Sequence, residues 1–230
     1  IQTDYQDAFE KLEAYQNKTN DWVFGYLSYD LKNDIEQLKS NNFDGLEFPE
    51  LYFFQPKKIF LIKGNRLNVF YLNFIANEFK EDLSAISSHK LINVTCKNDV
   101  KIHLRIHKDA YFNKVNELLN YIHRGDIYEA NFCQEFYAEN TQINPVETYK
   151  KLNGISRPPF ATFLKVYDKF LLSASPERYI KKKGDYVISQ PIKGTSKRSE
   201  NAREDTQLKD QLLADEKERS ENIMIVDLVR

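Results

Sequence analysis

Cysteine is nearly missing: only Cys96 and Cys133 occur in 230 residues, far apart and without metal-ligand spacing or a disulfide pattern. That argues against a disulfide-stapled secreted module or a thiolate metal site, and it fits a reducing, cytoplasmic compartment. An excess of charge of either sign is missing too. The 33 Lys and Arg nearly balance 34 Asp and Glu, leaving a formal net charge of −1, so no electrostatic hold on nucleic acid or an anionic membrane is expected. No apolar run approaches the about 20 residues that span a bilayer. The N-terminus IQTDYQDAFE has neither the basic region nor the apolar segment of an export signal. Glycine-rich phosphate loops, the G-x-S-x-G elbow and HExxH are all absent, which removes the commonest nucleotide, acyl-transfer and metalloprotease chemistries. An initiator methionine is absent as well, and the chain stops inside an apolar helical pattern, IMIVDLVR, so it reads as a fragment.

What is present suits a buried core: 41% of the residues are hydrophobic and 13% aromatic, enough for one large domain or two smaller ones. Ala8–Tyr15 has the spacing of a short amphipathic helix. Trp22–Asp30, WVFGYLSYD, is apolar on both alternating faces, as in a strand covered on both sides, and Gly25 permits close approach by another backbone. A helical piece at Asn33–Leu38 precedes short strands at Leu51–Phe54, Lys58–Ile62 and Asn65–Phe74. The polar turns between them imply an antiparallel sheet rather than βαβ units. Ser84–Asp99 reads as a polar surface crossing. Residues 1–99 form a strand-rich N-terminal part, and residues 100–230 a second region carrying most of the chemically able groups.

Val100–His107 alternates as a half-buried strand with His103 and His107 outward. They read as exposed histidines rather than a metal pair, because no cysteine or carboxylate is spaced to complete a site. A helix capped by Asp109 buries Tyr111, Val115, Leu118 or Leu119, and Ile122, and ends at Gly125. Asn131–Tyr137 alternates as a strand, and Asn144-Pro145 opens a helix reaching Gly154. Two hairpins follow: Phe160–Val166 with Phe170–Ala174, and Arg178–Lys182 with Tyr186–Gln190, the second turning at Gly184-Asp185. Asp215 with Glu218 has the form of a capping box for a last helix.

Three side chains could do chemistry. Lys193 follows a strand and precedes Gly194-Thr195, where a sharp turn would leave its amine over the end of a sheet. As a nucleophile it would have to lose a proton that an ordinary lysine holds up to a pKa of about 10.4. Taken alone, a solvated lysine is the plainer reading. Glu177, after a strand and Pro176, could be a general acid if buried at a cleft, or merely a cap or a partner of Arg178. Glu221 lies one turn before Met224 and Ile225 on a helix with an apolar side, so its carboxylate could project into a cavity and hold a hard cation. The charge run from Lys197 to Glu218 reads mostly as a solvated face.

Taken in order, GDIYEANFCQEF (Gly125–Phe136), SASPERYI (Ser173–Ile180), PIKGT (Pro191–Thr195) and ERSENIMIVDLVR (Glu218–Arg230) resemble the chorismate-utilising family that includes component I of anthranilate synthase and of aminodeoxychorismate synthase. GYLSYDL at Gly25–Leu31 resembles a weaker motif of the same family. The resemblance implies an α+β fold, an α/β sandwich of antiparallel sheets flanked by helices. Relatives of the aminodeoxychorismate type have lysine in PIKGT, whereas anthranilate, isochorismate and salicylate synthases usually have alanine; this chain has Lys193. It therefore implies amination of chorismate at C4, with Lys193 attacking ring C2, Glu177 as general acid/base at the C4 oxygen, Glu221 as a Mg²⁺ ligand, and Gly194 and Thr195 lining the pocket. Ammonia would come from a separate glutamine amidotransferase subunit, and the product would feed folate synthesis. In the family the motif continues beyond VDLVR, and a second metal-binding glutamate and a glycine-rich carboxylate-binding segment follow, so this chain by itself is expected to be inactive. Gln190 and Ser196 stand where arginines are common. Anthranilate synthesis is the alternative activity, and a non-catalytic domain binding an aromatic ligand or a subunit is the alternative class.

Overall fold

The structure, a computed structural model, describes residues 1–3, 6–36, 38–90 and 100–229, which fall into two units, 1–92 and 93–230. The first unit runs through β1 (Gln2–Thr3), α1 (Ala8–Thr19), β2 (Phe24–Leu27), a 3-10 turn at Tyr29–Leu31 leading into α2 (Lys32–Ile35), and β3 (Leu51–Phe54). Strands β1 and β2 both pair antiparallel with β3, in the order β1-β3-β2. Gly25 faces Phe53 across the β2–β3 ladder, and a Cβ there would run into the Tyr52 carbonyl oxygen, which is the close approach the glycine was expected to permit. Burial on both faces of this strand is not found: Trp22 is 51% and Phe24 42% exposed, because β2 is a short edge strand with one neighbour.

Ala8, Leu31 and Leu51 form the buried centre of this unit, with Ile1, Leu12 and Phe53 packed against it. Asp7 makes no side-chain cap for α1. Instead the Asp34 carboxylate accepts from Gln6 N at 2.8 Å and Ala8 N at 3.0 Å, tying α2 to the start of α1. The Ala8 N–H is the main reason the Asp34 carboxyl titrates below its ordinary range.

Next come the β4 (Lys58–Lys63) and β5 (Arg66–Tyr71) hairpin, a 3-10 stretch at Asn73–Glu78, and α3 (Phe79–Ser88). The expected surface crossing thus begins inside a helix, and its remainder at 91–99 lies outside the described residues. Helix α3 was hidden because its anchor is distant in sequence. Lys58 Nζ reaches Glu78 Oε2 at 2.7 Å and Asp82 Oδ2 at 2.6 Å, and the Tyr71 hydroxyl donates to Asp82 Oδ2 at 2.7 Å.

Lys58 first, then Tyr71, hold the Asp82 carboxyl below its usual range. The Lys58 ammonium in turn titrates above its usual range, chiefly because of Asp82. Since the folded Asp82 value lies below the unfolded one of about 3.9, its stabilisation is present above about pH 4 and is lost as pH falls through the folded value. Asp82→Asn is therefore expected to lower Tm at pH 7 and to lower it by less near pH 3. An equal Tm gap at both pH values would contradict the role given to this carboxylate.

The second unit opens with β6 (His103–Leu104), α4 (Lys108–Arg124) and β7 (Phe136–Tyr137). Long strands were expected at 100–107 and 131–137, but β6 and β7 share only a two-residue ladder. Past the ladder Arg105 N still donates to Glu135 O at 3.0 Å, and side chains add to it. Gln134 accepts from Ile106 N at 3.2 Å and donates back to Ile106 O, while Arg105 forks onto Glu135 at 2.7 and 3.2 Å. Helix α4 begins at Lys108, so Asp109 lies in its first turn rather than at the cap. Its half-buried stripe is Tyr111, Val115, Leu118 and Ile122, and Gly125 ends it at φ +80°. His103 is exposed against the Tyr137 ring, and no cluster of three metal-ligating side chains occurs among the described residues.

Helix α5 (Pro145–Ser156) starts at Asn144, whose side chain accepts from Val146 N and Glu147 N. The hairpins β8 (Phe160–Val166) with β9 (Lys169–Ser175), and β10 (Arg178–Lys183) with β11 (Tyr186–Gln190), follow. Helix α6 (Ala202–Ala214), capped by Asn201, occupies most of the charge run. Then α7 (Glu216–Val229) starts where expected, with Asp215 Oδ1 accepting from Glu218 N at 3.0 Å. Every strand pairing is antiparallel among the described residues, so the α+β class is borne out. No described helix is long and apolar enough to cross a membrane.

Candidate functional site

Strand β11 ends at Gln190, and the segment Pro191–Thr195 leaves the sheet without helix or strand structure. Three carboxylates from different elements converge on it. Glu177, in the turn between β9 and β10, accepts from Ile192 N through Oε1 at 3.0 Å. Its own backbone is fixed by Ser175, whose Oγ accepts from Glu177 N at 3.2 Å. Glu129, in the stretch between α4 and β7, meets the Lys193 ammonium: Nζ donates to Oε1 at 3.1 Å. Glu218, in the first turn of α7, packs on Gly194, where a Cβ would fall 2.6 Å from Glu218 Oε2. Gly194 sits at φ +81°, a backbone that glycine adopts freely, so both conformation and space call for glycine here.

Beside this segment lies a cleft of about 390 Å³ lined by Lys193, Leu212, Leu213, Glu218, Arg219, Asn222 and Ile223. Its size falls in the range of small-molecule sites, roughly 300–1,000 Å³. Two cations, one carboxylate and an amide among aliphatic side chains make a wall able to hold an anionic, partly apolar molecule. Lys193 is 33% exposed and Glu129 18% exposed. Glu129 Oε2 is buried and without a hydrogen-bond partner among the described residues.

Lys193 and Gly194 thus stand at the cleft, with Glu177 bound to the backbone next to them. Glu177 is exposed among the described residues, so the burial a general acid needs is not supplied by them. Thr195 is exposed. Glu221 is half-buried like Met224 and Ile225, and its Oε1 lies 3.5 Å from Lys217 Nζ one turn earlier. With Glu218 it offers one or two oxygen donors on successive turns, the kind of set a hard cation accepts when substrate and water complete its shell.

Sequence reasoning missed Glu129, Glu218 and Arg219. Glu129 was visible inside GDIYEANF, as an acid between Tyr128 and the apolar-polar run leading to β7, but only the fold brings it to a residue 64 positions away.

Solved and curated relatives bear on this arrangement. The crystal structure of anthranilate synthase component I from Streptococcus pneumoniae TIGR4 superposes with a TM-score of 0.76 at 22% identity, covering 90% of this chain and 48% of that one, so the likeness is one of fold. The chain is 33% identical over 220 residues to an anthranilate synthase component I-like protein of Synechocystis sp., covering 91% of itself and 43% of that protein. It is 27% identical over 223 residues to aminodeoxychorismate synthase component 1 of Bacillus subtilis, covering 90% of itself and 47% of that protein. Over 120 residues, 52% of the chain, it is 37% identical to aminodeoxychorismate synthase component 1 of Salmonella typhimurium, of which it covers 26%. The chain spans about half or less of the length of the relatives it matches. From residue 2 to residue 230 it matches the chorismate binding enzymes, and it belongs to that family.

Proposed function

We propose that this chain is part of an aminodeoxychorismate synthase component I, which aminates chorismate at C4. The observation that carries the reading is the side chain at 193: an amine on the wall of the cleft, in the motif where relatives of the anthranilate type usually have alanine. In the proposed reaction the free Lys193 amine attacks ring C2 while the C4–O bond breaks, and Glu177 gives the departing oxygen a proton so that water leaves. Ammonia then adds at C4 as the C2–N bond breaks, the lysine departs as a neutral amine, and the surplus proton on the new C4 ammonium passes to Glu177 or to water. Arg219, at the same cleft, suits a ring or side-chain carboxylate of the substrate. Mg²⁺, held by Glu221, would neutralise a substrate carboxylate. Ammonia would reach the site from a glutamine amidotransferase subunit.

Anthranilate synthesis is the second reading, favoured by the name of the Synechocystis relative, similar over 91% of this chain. Product identification separates the two. The natural-length protein, given chorismate, Mg²⁺ and ammonium, is expected to yield 4-amino-4-deoxychorismate by mass spectrometry, with no anthranilate fluorescence. Anthranilate as the product would replace the first reading by the second.

A further inference from the structure

We propose that Glu129 holds the Lys193 amine in place in the resting protein and receives its proton when that amine acts as a nucleophile, an inference that rests on the reading above. The geometry has three parts. Glu129 Oε1 is 3.1 Å from Lys193 Nζ, within reach of direct proton transfer. Its second oxygen, Oε2, is buried and accepts no hydrogen bond among the described residues, which leaves acceptor capacity on a carboxylate whose side chain is only 18% exposed. Lys193 is meanwhile at the cleft wall and Glu129 is not among the lining residues, so the acid meets the amine without forming part of that wall.

The two other acids at the segment meet different groups. Glu177 Oε1 takes the Ile192 N–H, and Glu218 is packed on Gly194. The transfer balances without another reagent. An N–H⁺ proton moves from Nζ to Glu129, leaving a neutral amine and a carboxylic acid. When the lysine leaves the ring at the end of the cycle, the proton returns and the ion pair is restored.

The test uses the natural-length protein with Glu129→Gln, Glu129→Ala and Glu129→Asp. With chorismate, Mg²⁺ and ammonium, Glu129→Gln keeps size and polarity but is a poor proton acceptor, so kcat should fall about 100-fold or more with KM within about threefold. Glu129→Asp should recover part of the loss, and added formate should raise the rate of Glu129→Ala but not of Glu129→Gln. A kcat for Glu129→Gln within threefold of the parent, or no formate effect on Glu129→Ala, overturns the proton transfer. A second readout needs no chorismate: acetylation of Lys193 by N-acetoxysuccinimide, followed by peptide mass spectrometry. Freed from its carboxylate, the amine of Glu129→Ala should label several-fold faster than the parent, and equal labelling overturns the pairing. Faster labelling in a protein whose parent makes no aminated product overturns the functional reading and the proton transfer with it, and shows that the pair itself was not the point of failure.

Discussion

Lys193→Ala should lower kcat/KM for the proposed C4 amination by at least about a thousandfold, because in the proposed mechanism it removes the covalent nucleophile, and so the step itself, rather than weakening a contact. The side chain is a third exposed, so its truncation leaves no core cavity, and loss of folding is not the expected cause of inactivity. Lys193→Arg sharpens the experiment. It keeps the positive charge beside Glu129 but cannot lose a proton in a protein, so it should be as inactive as alanine. Steady-state rates with chorismate and ammonium, together with mass spectrometry of the intact protein for a lysine adduct, give the readout. Activity within tenfold of the parent in either variant would mean that the amine only binds substrate, and the lysine mechanism would fall.

Glu177→Gln is expected to reduce kcat by about 100-fold to 10,000-fold, the span typical of a lost general acid. The choice of glutamine follows from the structure. Its side-chain oxygen can still accept from Ile192 N, as Glu177 Oε1 does at 3.0 Å, so the Pro191–Thr195 segment stays where it is. Glu177→Ala removes the acceptor as well and should add a further loss. Full activity of the glutamine variant beside an inactive alanine variant would reduce Glu177 to a brace for the segment that carries Lys193.

Much of the architecture was legible where local chemistry specified it. Asn144-Pro145, the Gly125 stop, the Asp215 cap and the turn at Gly184-Asp185 are short-range devices, and each structural element they imply is present. Failures arose where a distant partner decided the outcome. Helix α3, anchored where Lys58 and Tyr71 of the preceding hairpin grip Asp82, runs on through residues 84–88, the start of the stretch that reads as a polar crossing. Strands β6 and β7 are only two residues long: one backbone bond, from Arg105 N to Glu135 O, continues past them, and the Gln134 side chain holds Ile106.

The site divides in the same way. By itself the sequence determined which groups are available and in what order: a lysine before Gly-Thr, an acid after Ser-Pro, an acidic turn opening an apolar helix, and enough motif to name a family. Only the tertiary structure decided which of them meet. It set Glu129 against Lys193 across 64 residues, seated Glu218 on Gly194, and left Glu177 on a backbone N–H in the open. The reason is physical. Motif spacing reports which residues one strand end or helix turn can present, whereas an ion pair or a buried carboxylate depends on which separate elements the packed chain brings within about 3 Å.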